Sequence, residues 1–515
     1  RLVPGSKAAL RVVVHDAGQA TPVPDAEVAV SIGKTPGLAR LVYQGRTDAT
    51  GTAEVAFTVP AELRGEASLV VEARTEGGQE QVVHPITIAR STRLFLTSDK
   101  PAYRPGQTLH LRVLALDALE LHPAAGETVE FMALDASGQP FARQSVSTSD
   151  FGIAAVDFDL PETLAEGAYT VRAVLGDTIS ERAVTVGAYT LPSFRVAITP
   201  EHAFYTTGDQ VTGTVEAAYF FGKPVAEAEV VVYGSFEPDR MAVGQVSGRT
   251  DAEGRFTFAF DLPAGHGEVT PATFAVEAAV VDGAGQSVSL RQSVPVAGQP
   301  ILIRAIPESG VLKPGVENTL FVLTAYPDGT PAVTEVTLSI NGERRTLQTD
   351  SYGLAAFRFV PDGTMAEVAV VARDAEGAEG EQTVRLDVLA AAQALLLRAE
   401  RALYQVGETL RLEVLSAGLA DGQPVYLDVV RGRQMVAALS TPLEGGRATF
   451  ALDLDAPLMG ALQLHAYTLS AEGSPVEDLR WVVVDAPQGM TVTVEADRDV
   501  YRPGETARLA FRTHL

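Results

Sequence analysis

Cysteine is absent from the 515 residues. That absence excludes disulfides, Cys-ligated zinc, iron–sulfur clusters and thiol catalysis together. Tryptophan occurs once, and asparagine only as Asn318 and Asn341. Positive charge is scarce: 40 basic residues, five of them Lys, face 65 acidic ones, for a net charge of −25. This balance argues against a nucleic-acid partner, because phosphate binding needs clustered Lys and Arg. It argues equally against an anionic membrane surface. No apolar run approaches the ~18–20 residues of a membrane-spanning helix. Near Arg1-Leu2-Val3-Pro4-Gly5 there is neither a charged n-region nor an apolar h-region of a signal peptide. Hydrophobic residues make up 46%, the level of a folded chain, which excludes wholesale disorder. The lack of any thiol is compatible with a periplasmic, cell-surface or secreted location.

A repeat of about one domain length runs through the chain. Tyr103-Arg104-Pro105-Gly106 returns as Tyr205-Thr206-Thr207-Gly208, Leu312-Lys313-Pro314-Gly315, Tyr404-Gln405-Val406-Gly407 and Tyr501-Arg502-Pro503-Gly504, and Leu2-Val3-Pro4-Gly5 fits as a further copy. The steps between copies are 101, 102, 107, 92 and 97 residues. Each copy precedes an alternating apolar segment, such as Leu109, Leu111 and Val113 or Leu410, Leu412 and Val414, which marks a strand with one buried face. A second mark follows: Thr47-Asp48 with Gly51, Thr250-Asp251 with Gly254, Thr349-Asp350 with Gly353, and the shortened Ser149-Asp150-Phe151-Gly152. Asp bonds its own backbone and Gly supplies positive φ, so these are turns between strands. Short strands, Gly/Pro punctuation and no sustained 3.6-residue period predict an all-β chain, a tandem array of antiparallel immunoglobulin-like β-sandwiches of about seven strands each.

The repeat frame places domains at 1–90, 91–187, 188–297, 298–390 and 391–486, with the start of a sixth at 487–515. The first lacks the strand that precedes the turn in the other copies, and the sixth holds two strands only. The chain is expected to be a piece of a longer protein. The join from Gly187 to Phe194 carries no Gly/Ser run and is expected to be stiff.

Three segments carry a family resemblance. Leu96-Thr97-Ser98-Asp99-Lys100-Pro101-Ala102-Tyr103-Arg104-Pro105-Gly106-Gln107, followed by Leu109-His110-Leu111-Arg112-Val113, resembles the opening of the second macroglobulin-like domain of the α2-macroglobulin family, with Ser98 intruding. Tyr189-Thr190-Leu191-Pro192-Ser193-Phe194-Arg195-Val196 is similar to that family's entry to its third domain, and Tyr219-Phe220-Phe221-Gly222-Lys223-Pro224-Val225 to a strand within it. The resemblance covers nearly the whole chain, most weakly in the first domain. It implies five macroglobulin-like domains and the start of a sixth, framing a bait whose cleavage entraps a protease. Family members often add a Cys–Gln thioester; with no cysteine, this chain cannot form one. The bait is expected to lie beyond the chain.

No catalytic, cofactor-binding or metal site is predicted. The eight His residues (His15, His84, His110, His122, His202, His266, His465 and His514) form no metal-binding motif. No nucleophile elbow or phosphate loop occurs. Asp157/Asp159 and Asp453/Asp455 read as strand-face pairs: calcium ligands or a glycosidase pair in one reading, a solvated face in the favoured one. His110 should lie on an outward face. The repeated Tyr reads as a ring that caps a sandwich edge, and Trp481 as core or an interdomain contact.

Three function classes follow. The first is the scaffold of a broad-spectrum endopeptidase inhibitor, with proteases as partners of the full-length parent, no cofactor, an extracytoplasmic location and a monomeric fragment. The alternative is an adhesive or structural extracellular stalk. The third, an enzyme with appended β-domains, lacks a catalytic constellation, and the chain is read as no enzyme.

Overall fold

A computed structural model of the chain describes every residue except 17–20, 120, 188–192, 266, 268–269, 341, 471–473, 487–490, 502–504 and 515. Strands dominate, and the helices among the described residues are two short 3-10 turns, Pro36–Leu38 and Ala456–Leu458. The chain is an all-β array of antiparallel two-sheet sandwiches, as its alternation predicts. Five buried apolar clusters each fill one sandwich.

Two compact units are present: Arg1–Tyr189 with Gln393–Leu515, and Thr190–Ala392. The first unit holds three sandwiches. In the first sandwich, Lys7–Val13 pairs with Thr52–Thr58 as a two-stranded sheet. It faces a four-stranded sheet ordered Arg40–Arg46, Glu27–Gly33, Gly65–Thr75, Gly78–Ile88. The second sandwich sets three strands, Ile153–Asp159, Thr108–Asp117 and Thr92–Ser98, against five. The fifth repeats this with Ala394–Ala399, Thr409–Ala417 and Arg447–Asp453 against a sheet ordered Leu403–Gln405, Pro475–Asp485, Gly460–Leu469, Pro424–Arg431, Gln434–Pro442. Near the C-terminus, Thr491–Ala496 pairs with Leu509–His514 as a hairpin whose Val492, Val494, Leu509 and Phe511 are exposed. In the second unit, the third sandwich has three strands against five and the fourth has three against four.

The repeated tetrapeptide has one structural job. Its first residue pairs in parallel with the last strand of its own sandwich: Leu2 with Ile88, Tyr103 with Val186, Tyr205 with Val296, Leu312 with Val388, and Tyr404 with Val484. The chain thus enters along one sheet and is stitched to the other before its alternating strand begins. The following Gly takes positive φ in all five, for example +82° at Gly106 and +95° at Gly407, a conformation that costs other residues. The Tyr copies bury the ring and turn the hydroxyl back on the approach. The main-chain N–H groups of Lys100, His202 and Arg401 donate to Tyr103, Tyr205 and Tyr404 at 3.2, 3.2 and 3.3 Å. The sixth copy's Arg502-Pro503-Gly504 lies outside the described residues, as do Tyr189 to Pro192 of the join.

The Asp…Gly marks are turns built on side-chain-to-backbone bonds. The Asp48 carboxylate accepts the N–H of Thr50 and Thr52, Asp251 those of Glu253 and Arg255, and Asp350 those of Tyr352 and Leu354. Gly is required twice over. At Gly51, φ is +71°, and a Cβ would lie 2.6 Å from the carbonyl oxygen of Val14.

Candidate functional site

Within the first unit, the first and fifth sandwiches dock on one another although several hundred residues separate them. The local sequence of Lys7–Val13 prepares this. Ala8, Leu10 and Val12 pack on their own core, so Ala9 and Arg11 project to the other side of the sheet. Two strands make a narrow, weakly supported sheet, and the fifth sandwich covers that outer side.

Arg11 enters the fifth sandwich as the central anchor. Its Nη1 donates to Asp428 Oδ1 at 2.6 Å and to the Tyr467 hydroxyl at 2.8 Å. Nη2 donates to the carbonyl of Leu439 at 2.7 Å. The guanidinium lies 4.5 Å from the centre of the Tyr426 ring, within cation–π range. The Arg11 and Asp428 side chains are only 5% and 11% exposed. Nε of Arg11 is buried and makes no hydrogen bond among the described residues. Burial, and after it the negative charge of Asp428, raises the pKa of the Tyr467 phenol, which keeps it a neutral donor and acceptor.

Gln434 makes a second anchor. Its amide nitrogen donates to Ser6 Oγ at 2.8 Å and to the Lys7 carbonyl at 2.6 Å, while its oxygen accepts the Val3 N–H at 2.9 Å. Lys7 to Asp455 at 2.6 Å and Ser440 to Glu54 at 2.6 Å lie at the rim. The arrangement holds two domains together.

The sequence candidates fall elsewhere, with one exception. His110 is exposed and its Nδ1 lies 2.7 Å from Asp157 Oδ1. Asp159 accepts the Thr108 hydroxyl at 2.8 Å. Asp453 and Asp455 do not share a strand face: the strand ends at Asp453, and Asp455 precedes the 3-10 turn, where it reaches Lys7 of the first sandwich. His465 meets Glu477 at 2.8 Å. His266 and the His514 side chain lie outside what the structure describes. Trp481 is not core; it is 57% exposed on the outer face of Pro475–Asp485. Among the described residues, no group of three or more His, Cys, Asp or Glu could hold a metal ion, and no helix is long and apolar enough to cross a membrane.

Arg11 and Asp428 escape a reading of local pattern because Arg11 occupies the outward phase of an alternating strand, the usual place of a solvated residue. One signal exists on the partner side. Val425-Tyr426-Leu427-Asp428-Val429-Val430 breaks the alternation, and the strand is buried on both faces.

Three family models match the chain. Residues 93–192 match the MG2 domain, 188–264 the macroglobulin domain MG3, and 395–515 the alpha-2-macroglobulin bait region domain. An alpha-2-macroglobulin of Ralstonia nicotianae is 28% identical over 535 residues, covering 92% of this chain and 32% of the relative. One of Thermotoga maritima is 26% identical over 274 residues, covering 52% of this chain and 18% of the relative. The chain therefore spans about a third of the length of the first of these relatives. Among solved structures, trypsin-activated alpha-2-macroglobulin from Escherichia coli aligns over 98% of this chain and 39% of its own, with a TM-score of 0.49 and 15% identity. With MG2, MG3 and the bait region domain following one another along the sequence, the chain belongs to the alpha-2-macroglobulin family.

Proposed function

We propose that this chain is scaffold of a broad-spectrum endopeptidase inhibitor, a protease trap that works outside the cytoplasm, and that it is not itself an enzyme. The five sandwiches are assigned to macroglobulin-like domains at 1–90, 91–187, 188–297, 298–390 and 391–486, with a sixth starting at 487. Proteases are the partners of a protein of the relatives' full length. The absence of cysteine excludes a thioester within these residues. The bait-region match over 395–515 speaks against the expectation that the bait lies beyond the chain, and the scaffold role does not depend on where the bait lies.

The observation that carries this reading is the bond from Arg11 in the first sandwich to Asp428 in the fifth. In a stalk of stacked repeats each repeat touches only its neighbours. A frame that encloses a captured enzyme needs non-neighbours fastened to each other, and a buried charged anchor between the first and fifth sandwiches favours the frame. The test compares the purified chain with a protein of the relatives' full length. Each is incubated with several unrelated endopeptidases while cleavage of a large protein and of a small chromogenic peptide is followed. Protection of the large substrate alone is expected for the full-length protein, and no protection for the chain. Equal hydrolysis of both substrates by every protease in the presence of the full-length protein would overturn the trap reading.

A further inference from the structure

We propose that His465 makes the docking of the first and fifth sandwiches acid-sensitive: a charged imidazole at this position competes with Arg11 for Asp428 and loosens the joint. The inference rests on the docking itself and is independent of the protease reading.

His465 reaches the joint by strand phase. In Gly460–Leu469, the side chains of Leu462, Leu464 and Ala466 pack in the core of the fifth sandwich, so His465 and Tyr467 project from the outer face that receives Arg11. Asp428 is the cross-strand partner of His465, and Tyr426 that of Tyr467. Directly opposite residues on one face of a sheet stand about 4.5–5.5 Å apart at Cβ. Asp428 thus has Arg11 above it, from the first sandwich, and His465 beside it. The His465 ring centre lies 5.3 Å from that of Tyr467, whose hydroxyl accepts Arg11 Nη1 at 2.8 Å. His465 Nε2 lies 2.8 Å from Glu477 Oε2. The His465 side chain is 35% exposed, so protons reach it from solvent while the joint is closed.

The surrounding charges fix the sign. Within its own sandwich His465 faces Asp428 and Tyr426 on Pro424–Arg431, Glu477 on Pro475–Asp485, and Tyr467. Across the joint it faces Arg11. Glu54 arrives opposite Arg11 on the paired strand, but its carboxylate turns to the Ser440 hydroxyl, two strands away from Gly460–Leu469 and exposed to screening by salt. Gln434–Pro442, the other strand at the joint, has no titratable side chain. When the sandwiches are docked, Arg11 neutralises Asp428 and adds a buried positive charge nearby. When they part, the guanidinium leaves and the Asp428 carboxylate becomes available to an imidazolium. The imidazolium is better accommodated in the parted form, so by linkage its protonation favours parting. The docking is complete while the imidazole is neutral and weakens as pH falls through the range between pH 8 and 5 where imidazole gains its proton.

The 515-residue chain, His465→Gln and His465→Lys are compared by hydrogen exchange at pH 7.5 and pH 5.5, with rates corrected for the intrinsic pH dependence of exchange. Protection of Lys7–Val13 in the parent should fall at least threefold at pH 5.5. His465→Gln keeps a donor towards Glu477 but takes no charge, and should hold the same protection at both pH values. His465→Lys is charged at both and should be loosened at both. Asn318–Ala325 in the fourth sandwich serves as the reference and should not respond. Equal protection of Lys7–Val13 in the parent at the two pH values, an acid loss as large in His465→Gln, parent-like protection of His465→Lys at pH 7.5, or an equal acid loss at Asn318–Ala325 would each overturn the proposal.

Discussion

The guanidinium of Arg11 and the carboxylate of Asp428, 417 positions apart in sequence, meet at 2.6 Å with both side chains almost wholly removed from water. Neither charge could be left there alone. A buried pair of this kind gains little net stability over an apolar pair of the same shape, but it is costly to break from one side. Its role is therefore placement: the guanidinium meets a carboxylate, a phenol and a carbonyl in one fixed geometry, and no slipped docking of the two sheets would satisfy all three.

Removing one partner should show this asymmetry. Arg11→Ala or Asp428→Ala is expected to weaken the docking of the first and fifth sandwiches by about 3–5 kcal/mol. Arg11→Met combined with Asp428→Leu should recover most of that loss. Hydrogen exchange over Lys7–Val13 and Gln434–Pro442 reads the docking directly; unchanged protection in the single variants would contradict the role given to the pair.

The turn glycines should tolerate no side chain. Gly353 holds φ at +72°, and a Cβ there would fall on the carbonyl oxygen of Thr324. Gly353→Ala is expected to lose roughly 1–3 kcal/mol for the backbone conformation alone, with the clash added. Gly363→Ala, at a similar φ of +74° but in open space, should lose less. Urea unfolding of the two variants decides; equal losses would mean that the close approach carries no weight.

Tyr103 makes the second sandwich sensitive at both ends of the pH scale. Burial, with the bond it donates to Asp99 at 2.5 Å, raises its phenol from 10.0 to about 12. The folded form thus favours the neutral phenol. The stability this contributes is complete below pH 10.0 and is lost as pH rises towards about 12. Asp99 moves the other way: burial opposes its charge, but the Tyr103 hydroxyl, the His110 N–H and the Lys100 charge outweigh it and hold its pKa below 3.8. That contribution is present above the ordinary value and fades as pH falls through the lowered one. Tyr103→Phe should remove the alkaline dependence, weaken the acid one, which the His110 N–H and the Lys100 charge still support, and lose about 0.5–1.5 kcal/mol at neutral pH. The check is thermal unfolding at pH 8 and pH 11. An equal alkaline loss in the Phe variant would contradict the assignment.

How much of this was legible in the sequence depends on range. Alternation at Leu109, Leu111 and Val113, the Tyr-x-x-Gly turns and the Asp…Gly turns are local, and they yielded the all-β array and its repeat. The tie of Tyr103 to Val186 and of Leu312 to Val388 could not be read, because a parallel bridge leaves no mark on the spacing of either residue. Arg11 was illegible for the same reason, with its partner in another domain. Asp455 was misassigned to a strand face because the strand stops at Asp453 and Pro457 turns the chain. Trp481 shows the limit of composition: an aromatic in an apolar run, Arg480-Trp481-Val482-Val483-Val484, reads as core or as an interdomain contact, and its exposure excludes the core.

The central claim is that the first and fifth sandwiches are fastened together, and the missing cysteines make it measurable. Leu38→Cys and Leu403→Cys are both exposed positions, one in each sandwich, and in this chain they would be the only thiols to carry spin labels. Pulsed electron–electron resonance between them should give one narrow distance distribution, which broadens and lengthens when Arg11→Ala is added. A broad distribution in the parent pair, unchanged by Arg11→Ala, would contradict the account.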